Sequence, residues 1–96
     1  MIISYADELT EKLMHGIVDR ETRKLQPALR LQAARKLTML DVATRLNDLY
    51  FPPGNRLHAL GGDLEGYYAV SVNDTFRLVF RWTEQGPEHV QFTDYH

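Results

Sequence analysis

One stretch constrains the fold more than any other: Gly66-Tyr-Tyr-Ala-Val-Ser-Val-Asn-Asp-Thr-Phe-Arg-Leu-Val-Phe-Arg-Trp82. Two runs rich in β-branched and aromatic residues flank the turn formers Asn73 and Asp74, the pattern of a β-hairpin. A two-residue loop would pair Val72 with Thr75 and Val70 with Arg77, setting both arginines among the valines. A loop with an odd number of residues pairs Val72 with Phe76, Val70 with Leu78 and Tyr68 with Phe80, and one face becomes wholly apolar. The other face then carries Ser71 with Arg77, Ala69 with Val79, and Tyr67 with Arg81. A one-residue slip exchanges the faces, so burial selects the odd loop. The hairpin is expected to turn its apolar side to a core and its Arg/Tyr side to a partner or substrate.

The rest of the chain supplies that core. Ile2, Ile3 and Tyr5 suggest a short N-terminal strand, and Ser4 or Asp7 can cap the helix that follows. Ala6, Leu9 and Leu13 recur at helical spacing until Gly16. After a charged connection from Val18 to Leu25, Pro27 suits the first turn of a longer helix running to about Arg45. Leu29, Ala33, Leu37 and Leu40 form its apolar stripe, with Arg30, Arg35 and Lys36 mostly off it. Pro52-Pro53-Gly54 ends regular structure, Glu84 to Glu88 reads as a second turn, and His89 to Thr93 as a late strand with Val90 and Phe92 inward. Strict alternation would send Asp94 and His96 inward as well, so the last residues are expected to bulge or leave the sheet. A strand, two helices and a meander of about three strands predict an α+β fold. Two helices pack on one face of a curved, mainly antiparallel sheet, and residues 1–96 form one small domain.

Charge is unevenly spread. The net charge is −2, yet residues 12–45 carry +5, between acidic segments of −3 (1–11) and −4 (46–96). A basic middle segment is either a phosphate-facing surface or a solvated helix face. No apolar run approaches a membrane span, no secretory signal opens the chain, and there is no cysteine. The expectation is a cytoplasmic protein without a membrane partner.

Chemistry must come from histidine and arginine. His15, His58, His89 and His96 show no metal-ligand spacing, and neither a phosphate-binding glycine loop nor a nucleophile elbow occurs, so no metal or other cofactor is expected. Cleaving RNA through its own 2′-hydroxyl needs a group to take that proton and one to protonate the leaving oxygen. It also needs fixed positive charge at the phosphate. Histidine and arginine supply all three. For Arg77 and Arg81 the alternative is plain solvation of an exposed sheet face.

Pro-Pro-Gly-Asn-Arg-Leu-His at 52–58, Gly62-Asp63, Val72-Asn73-Asp74, Phe76-Arg77-Leu78, Phe80-Arg81-Trp82 and the terminal Asp94-Tyr95-His96 resemble HigB, a branch of the RelE/ParE toxin superfamily. The resemblance spans nearly the whole chain. It implies two N-terminal helices on an antiparallel sheet. It implies a ribosome-dependent endoribonuclease that cuts messenger RNA in the A site and is neutralised by a HigA-type helix-turn-helix antitoxin. By position, His58, Arg77, Asp94, Tyr95 and His96 match the family's catalytic residues. His58 and His96 would then transfer protons, Arg77 would hold the phosphate, and Asp94 and Tyr95 would orient the site or stack on a base. Arg30, Arg35, Lys36, Arg56 and Arg81 would contact RNA or the ribosome. Where many members have Leu-Lys-Gly-Asp, this chain reads Leu60-Gly61-Gly62-Asp63, which implies slower cleavage. Two alternatives stand beside this one: a ParE-like toxin that binds DNA gyrase without cutting RNA, and a catalytically silent regulatory module.

Overall fold

A computed structural model describes residues 1–95. Helix α1 (Glu8–Met14) and helix α2 (Pro27–Val42) precede four strands: β1 (His58–Ala59), β2 (Tyr67–Ser71), β3 (Phe76–Thr83) and β4 (Gly86–Asp94). The strands pair antiparallel in the order β1-β2-β3-β4. Leu13, Leu37, Leu40 and Leu49 from the helical side are buried against Val70, Leu78, Phe80, Val90 and Phe92 of the sheet. This is the α+β arrangement expected from the sequence.

The hairpin register follows from burial. Tyr67 pairs with Arg81, Tyr68 with Phe80, Ala69 with Val79, Val70 with Leu78 and Ser71 with Arg77. Three residues, Asn73 to Thr75, make the loop, closed by the Val72 N–H donating to Phe76 O at 2.9 Å. Asn73 Oδ1 fixes the turn by accepting from the N–H groups of Thr75 (2.8 Å) and Phe76 (2.7 Å).

Local chemistry sets the other boundaries. Asp7 caps α1, its carboxylate accepting from the Thr10 N–H at 2.9 Å. Helix α2 stops at Val42, three residues before Arg45, because Asp48 Oδ2 draws the N–H groups of Thr44 (3.0 Å) and Arg45 (3.1 Å) out of the helical path. The second turn is tighter than expected: Thr83 already pairs with Gly86, so Glu84 and Gln85 alone form its tip. Gly86 cannot be another residue, since its φ is 135° and an added Cβ would lie 2.2 Å from Met1 O.

The N-terminal segment is not the strand expected from Ile2, Ile3 and Tyr5. It touches β4 through one parallel bridge, Tyr5 to Val90. It still seals that edge: the N–H of Ile3 donates to Pro87 O, that of Ala6 to Val90 O and that of Val90 to Ser4 O, at 2.8–3.1 Å. The N–H of Phe92 donates to buried Thr10 Oγ1 at 2.8 Å. Parallel pairing cannot extend because β4 is interrupted there. Between the pairs Val79–Gln91 and Arg81–Glu88 it carries one residue more than β3, and His89 takes a left-handed conformation at φ 51°. The sequence placed the irregularity after Phe92. It lies before Val90, and Asp94 keeps its pairing with Phe76. Phe76 and Phe92 stack at 4.9 Å and close the core, so Asp94 just beyond them is exposed.

Candidate active site

The outer face of the sheet carries the residues that the hairpin parity assigned to it. Arg77 and Thr93 are paired on it, as are Val79 and Gln91. Together with Ala6, Leu64, Tyr67, His89 and Asp94 they line a cleft of about 280 Å³. Arg77 is half-buried, and its Nε is buried without a hydrogen-bond partner. A buried guanidinium N–H without an acceptor is costly, unless an anion supplies one. The guanidinium carbon lies 5.1 Å from the centre of the Tyr95 ring. Tyr95 is fixed at both ends: its hydroxyl bonds Ser71 Oγ, and its N–H donates to Thr75 O at 3.0 Å. Arg77 is therefore held over an aromatic ring on a rigid strand.

His58 approaches from the other edge. Strand β1 pairs His58 with Ala69, which pairs in turn with Val79, so all three share the outer face. Strand spacing and rise put the Cα atoms of His58 and Arg77 about 12 Å apart on that face. His58 Nδ1 lies 2.8 Å from Arg56 O. A carbonyl only accepts, so Nδ1 carries the proton, and in the neutral ring the lone pair sits on Nε2. Arg56 presents that carbonyl from a left-handed conformation at φ 50°, one of two side-chain-bearing residues with positive φ among those described. The other is His89. Strained backbone gathers at functional sites more often than elsewhere. His96, the remaining histidine matched by the resemblance, lies outside the described residues.

The remaining basic residues divide. Arg30 donates to Thr22 O (3.3 Å) and Leu25 O (2.6 Å), tying α2 to the turn before it. Lys36 Nζ donates to Oδ1 of buried Asn55, whose Nδ2 donates to Leu49 O and Phe51 O at 3.1 and 3.0 Å. Burial lowers the Lys36 pKa. Both cations thus serve the fold, which the helical spacing did not reveal. Arg35 is exposed. Arg56 stands 3.8 Å from Asp74. Arg81 donates twice to Glu88 Oε2, at 3.0 and 2.6 Å, and lies over the Tyr67 ring at 5.9 Å. The structure brings Arg77, Asp94 and Tyr95 together, with His58 across the same face. It sets Arg30 and Lys36 apart.

Ser71, Gln91 and Thr93 were legible as outer-face positions by parity but carried no chemical signal of their own. His89 was hidden by the bulge. Among the described residues, no three histidine, aspartate or glutamate side chains stand together as a metal site, and no helix is long and apolar enough to cross a membrane.

Comparison with known proteins defines the class. Residues 4–96 match the family of HigB-like toxins, described as the RelE-like toxin of type II toxin-antitoxin system HigB. The chain belongs to that family. Toxin HigB-1 of Vibrio cholerae serotype O1 is 33% identical over 84 residues, covering 88% of this chain and 86% of that protein. Endoribonuclease HigB of Proteus vulgaris is 32% identical over 65 residues, 64% of this chain and 65% of that one. In fold, the chain resembles the crystal structure of a mutant of YafQ from E. coli. The TM-score is 0.66 at 16% identity, over 99% of this chain and 92% of that one. As a type II toxin, the protein has an antitoxin for a partner.

Proposed function

We propose that this toxin is a ribosome-dependent endoribonuclease that cuts messenger RNA in the A site by acid–base catalysis without a metal, acts in the cytoplasm and is neutralised by a HigA-type antitoxin. The observation that carries this reading is Arg77: a cleft-lining guanidinium set over Tyr95, with its Nε left unpartnered. Such a group has the geometry and charge to take a phosphate. His58 Nε2 accepts the 2′-hydroxyl proton as that oxygen attacks the phosphorus. The bond to the 5′-oxygen breaks, and His96 returns a proton to it. Asp94 and Tyr95 orient the site, Tyr95 by seating Arg77 over its ring. On the helical side, exposed Arg35 is available to ribosomal RNA phosphates, as are exposed Arg20, Arg23 and Lys24.

The test is primer extension on cellular messages after brief expression, with and without a block on translation initiation. Cuts inside translated codons that vanish under the block are expected. Growth arrest without any cut message, accompanied by gyrase-dependent DNA breaks, would replace this reading with the gyrase-binding one.

A further inference from the structure

One wall of the cleft is unused by this reaction. Beyond Arg77 it is formed by Tyr67, His89 and Gln91. Had the β3–β4 pairing continued unbroken, His89 would stand opposite Arg81, and Glu88 would turn to the other face. The extra residue instead delivers Glu88 to Arg81 and leaves the imidazole to the cleft. The left-handed backbone of His89 is held from the far side, its N–H donating to Ser4 Oγ at 2.9 Å. Packing does not account for this conformation, because the His89 side chain is 53% exposed. It stands 3.8 Å from Glu88 Oε2, which Arg81 already engages. Gln91 holds Asp7 only through a 3.5 Å contact of its amide nitrogen, and its carbonyl oxygen has no partner among the described residues.

We propose that Tyr67, His89 and Gln91 form a nucleobase subsite next to the phosphate position at Arg77, taking one unpaired base of an RNA strand. The phenol and imidazole rings supply π surfaces, and the Gln91 amide supplies a donor and an acceptor to a base edge. The Val79–Gln91 pair lies one two-residue step, about 6.7 Å, from the Arg77–Thr93 pair, a displacement suited to a base beside a held phosphate. At about 280 Å³ the cleft falls below the about 300–1,000 Å³ of small-molecule sites, which fits a single base. The subsite rests on the ribonuclease reading, since the base must belong to the strand that Arg77 holds.

The experiment is to map the 5′ ends of messages cut on translating ribosomes by the wild-type chain, by His89→Gly and by Gln91→Ala, with thermal unfolding measured alongside. Glycine accepts φ 51°, so the first variant keeps its fold. The wild type is expected to favour certain bases at one fixed position beside the cut. Each variant should lose that preference and slow about tenfold at the favoured sites. Loss of rate at all sites alike, with the preference intact, overturns the subsite in favour of a structural role. Unchanged rates and preference overturn it as well, and the ribonuclease reading survives both results. A wild-type chain that cuts nothing overturns the two together.

Discussion

On the helical side, the guanidinium of Arg30 is spent on the carbonyls of Thr22 and Leu25, and the ammonium of Lys36 on buried Asn55. On the outer face of the sheet, Arg77 leans on Tyr95 and leaves Nε without an acceptor. The first region has the larger positive charge by count, +5 over residues 12–45, yet two of its cations are committed to the fold, whereas Arg77 keeps an unmet donor. A census of lysine and arginine along a chain measures neither. What separates the two is the neighbouring acceptors: the turn before α2 offers carbonyls to Arg30 and the loop after it an amide oxygen to Lys36, whereas the carbonyls of a paired strand are already taken.

The contrast can be broken at its strongest point first. Ending the chain at Tyr95, or replacing His96 with Gln, should abolish message cleavage and growth arrest in a protein that remains folded. Arrest at the wild-type level from a stable truncation would remove the acid–base mechanism. Arg77→Ala should follow, slowing cleavage by about 10²–10³ without loss of thermal stability, since the side chain leaves no partner unsatisfied. A marked drop in melting temperature would instead make Arg77 a structural residue like Arg30.

Gly61→Lys adds a cation instead of removing one. Gly61 has φ −121°, and nothing lies within 4 Å of an added Cβ, so a lysine there costs neither strain nor space. Arg56, the nearest substitute in sequence, is drawn to Asp74. A gain of up to about 10² in cleavage on translating ribosomes is expected, and an unchanged rate would mean that another cation already fills the role.

Effects on the helical side should be smaller and of a different kind. Lys36→Met is expected to cost about 1–3 kcal/mol of stability in urea unfolding, because Asn55 Oδ1 loses its donor. Arg35→Ala should leave stability within about 0.5 kcal/mol while lowering the salt slope of ribosome binding by about one. Equal effects from the two would mean that Lys36 and Arg35 serve the same role.

The smallest effect belongs to Asp19, where N–H donation from Thr22 and the Lys12 ammonium lower the carboxyl pKa from 3.8 to about 2. The folded-state value is the depressed one. Its stabilisation is therefore complete above pH 3.8 and lost as pH falls toward 2. Asp19→Asn should flatten the urea midpoint over that window and leave it unchanged in slope near neutrality.

The hairpin register could be read from the sequence because a wrong register has a large penalty: shifting Val70 from Leu78 to Arg77 would bury a guanidinium. The bulge could not be read. Glu88-His89-Val90 looks like regular alternation, and the extra residue makes sense only once Arg81 claims Glu88 and Ser4 claims the His89 N–H. The same holds for Lys36, whose acceptor lies 19 residues away in a loop that helical periodicity does not describe. The face of the site was legible from parity, as for Ser71 and Arg77. The approach of His58 was not, since the two residues of β1 are too few for any periodic signal.

The sealed edge of β4 has a consequence for how this sheet can be enlarged. Residues from Met1 to Thr10 take backbone donors and acceptors along β4, and Gly86 lets Met1 lie close against it. A peptide that joins the sheet by strand addition therefore has one side left, along β1. That strand holds His58. An inhibitor that extends the sheet would pair beside the proposed base and away from Arg77.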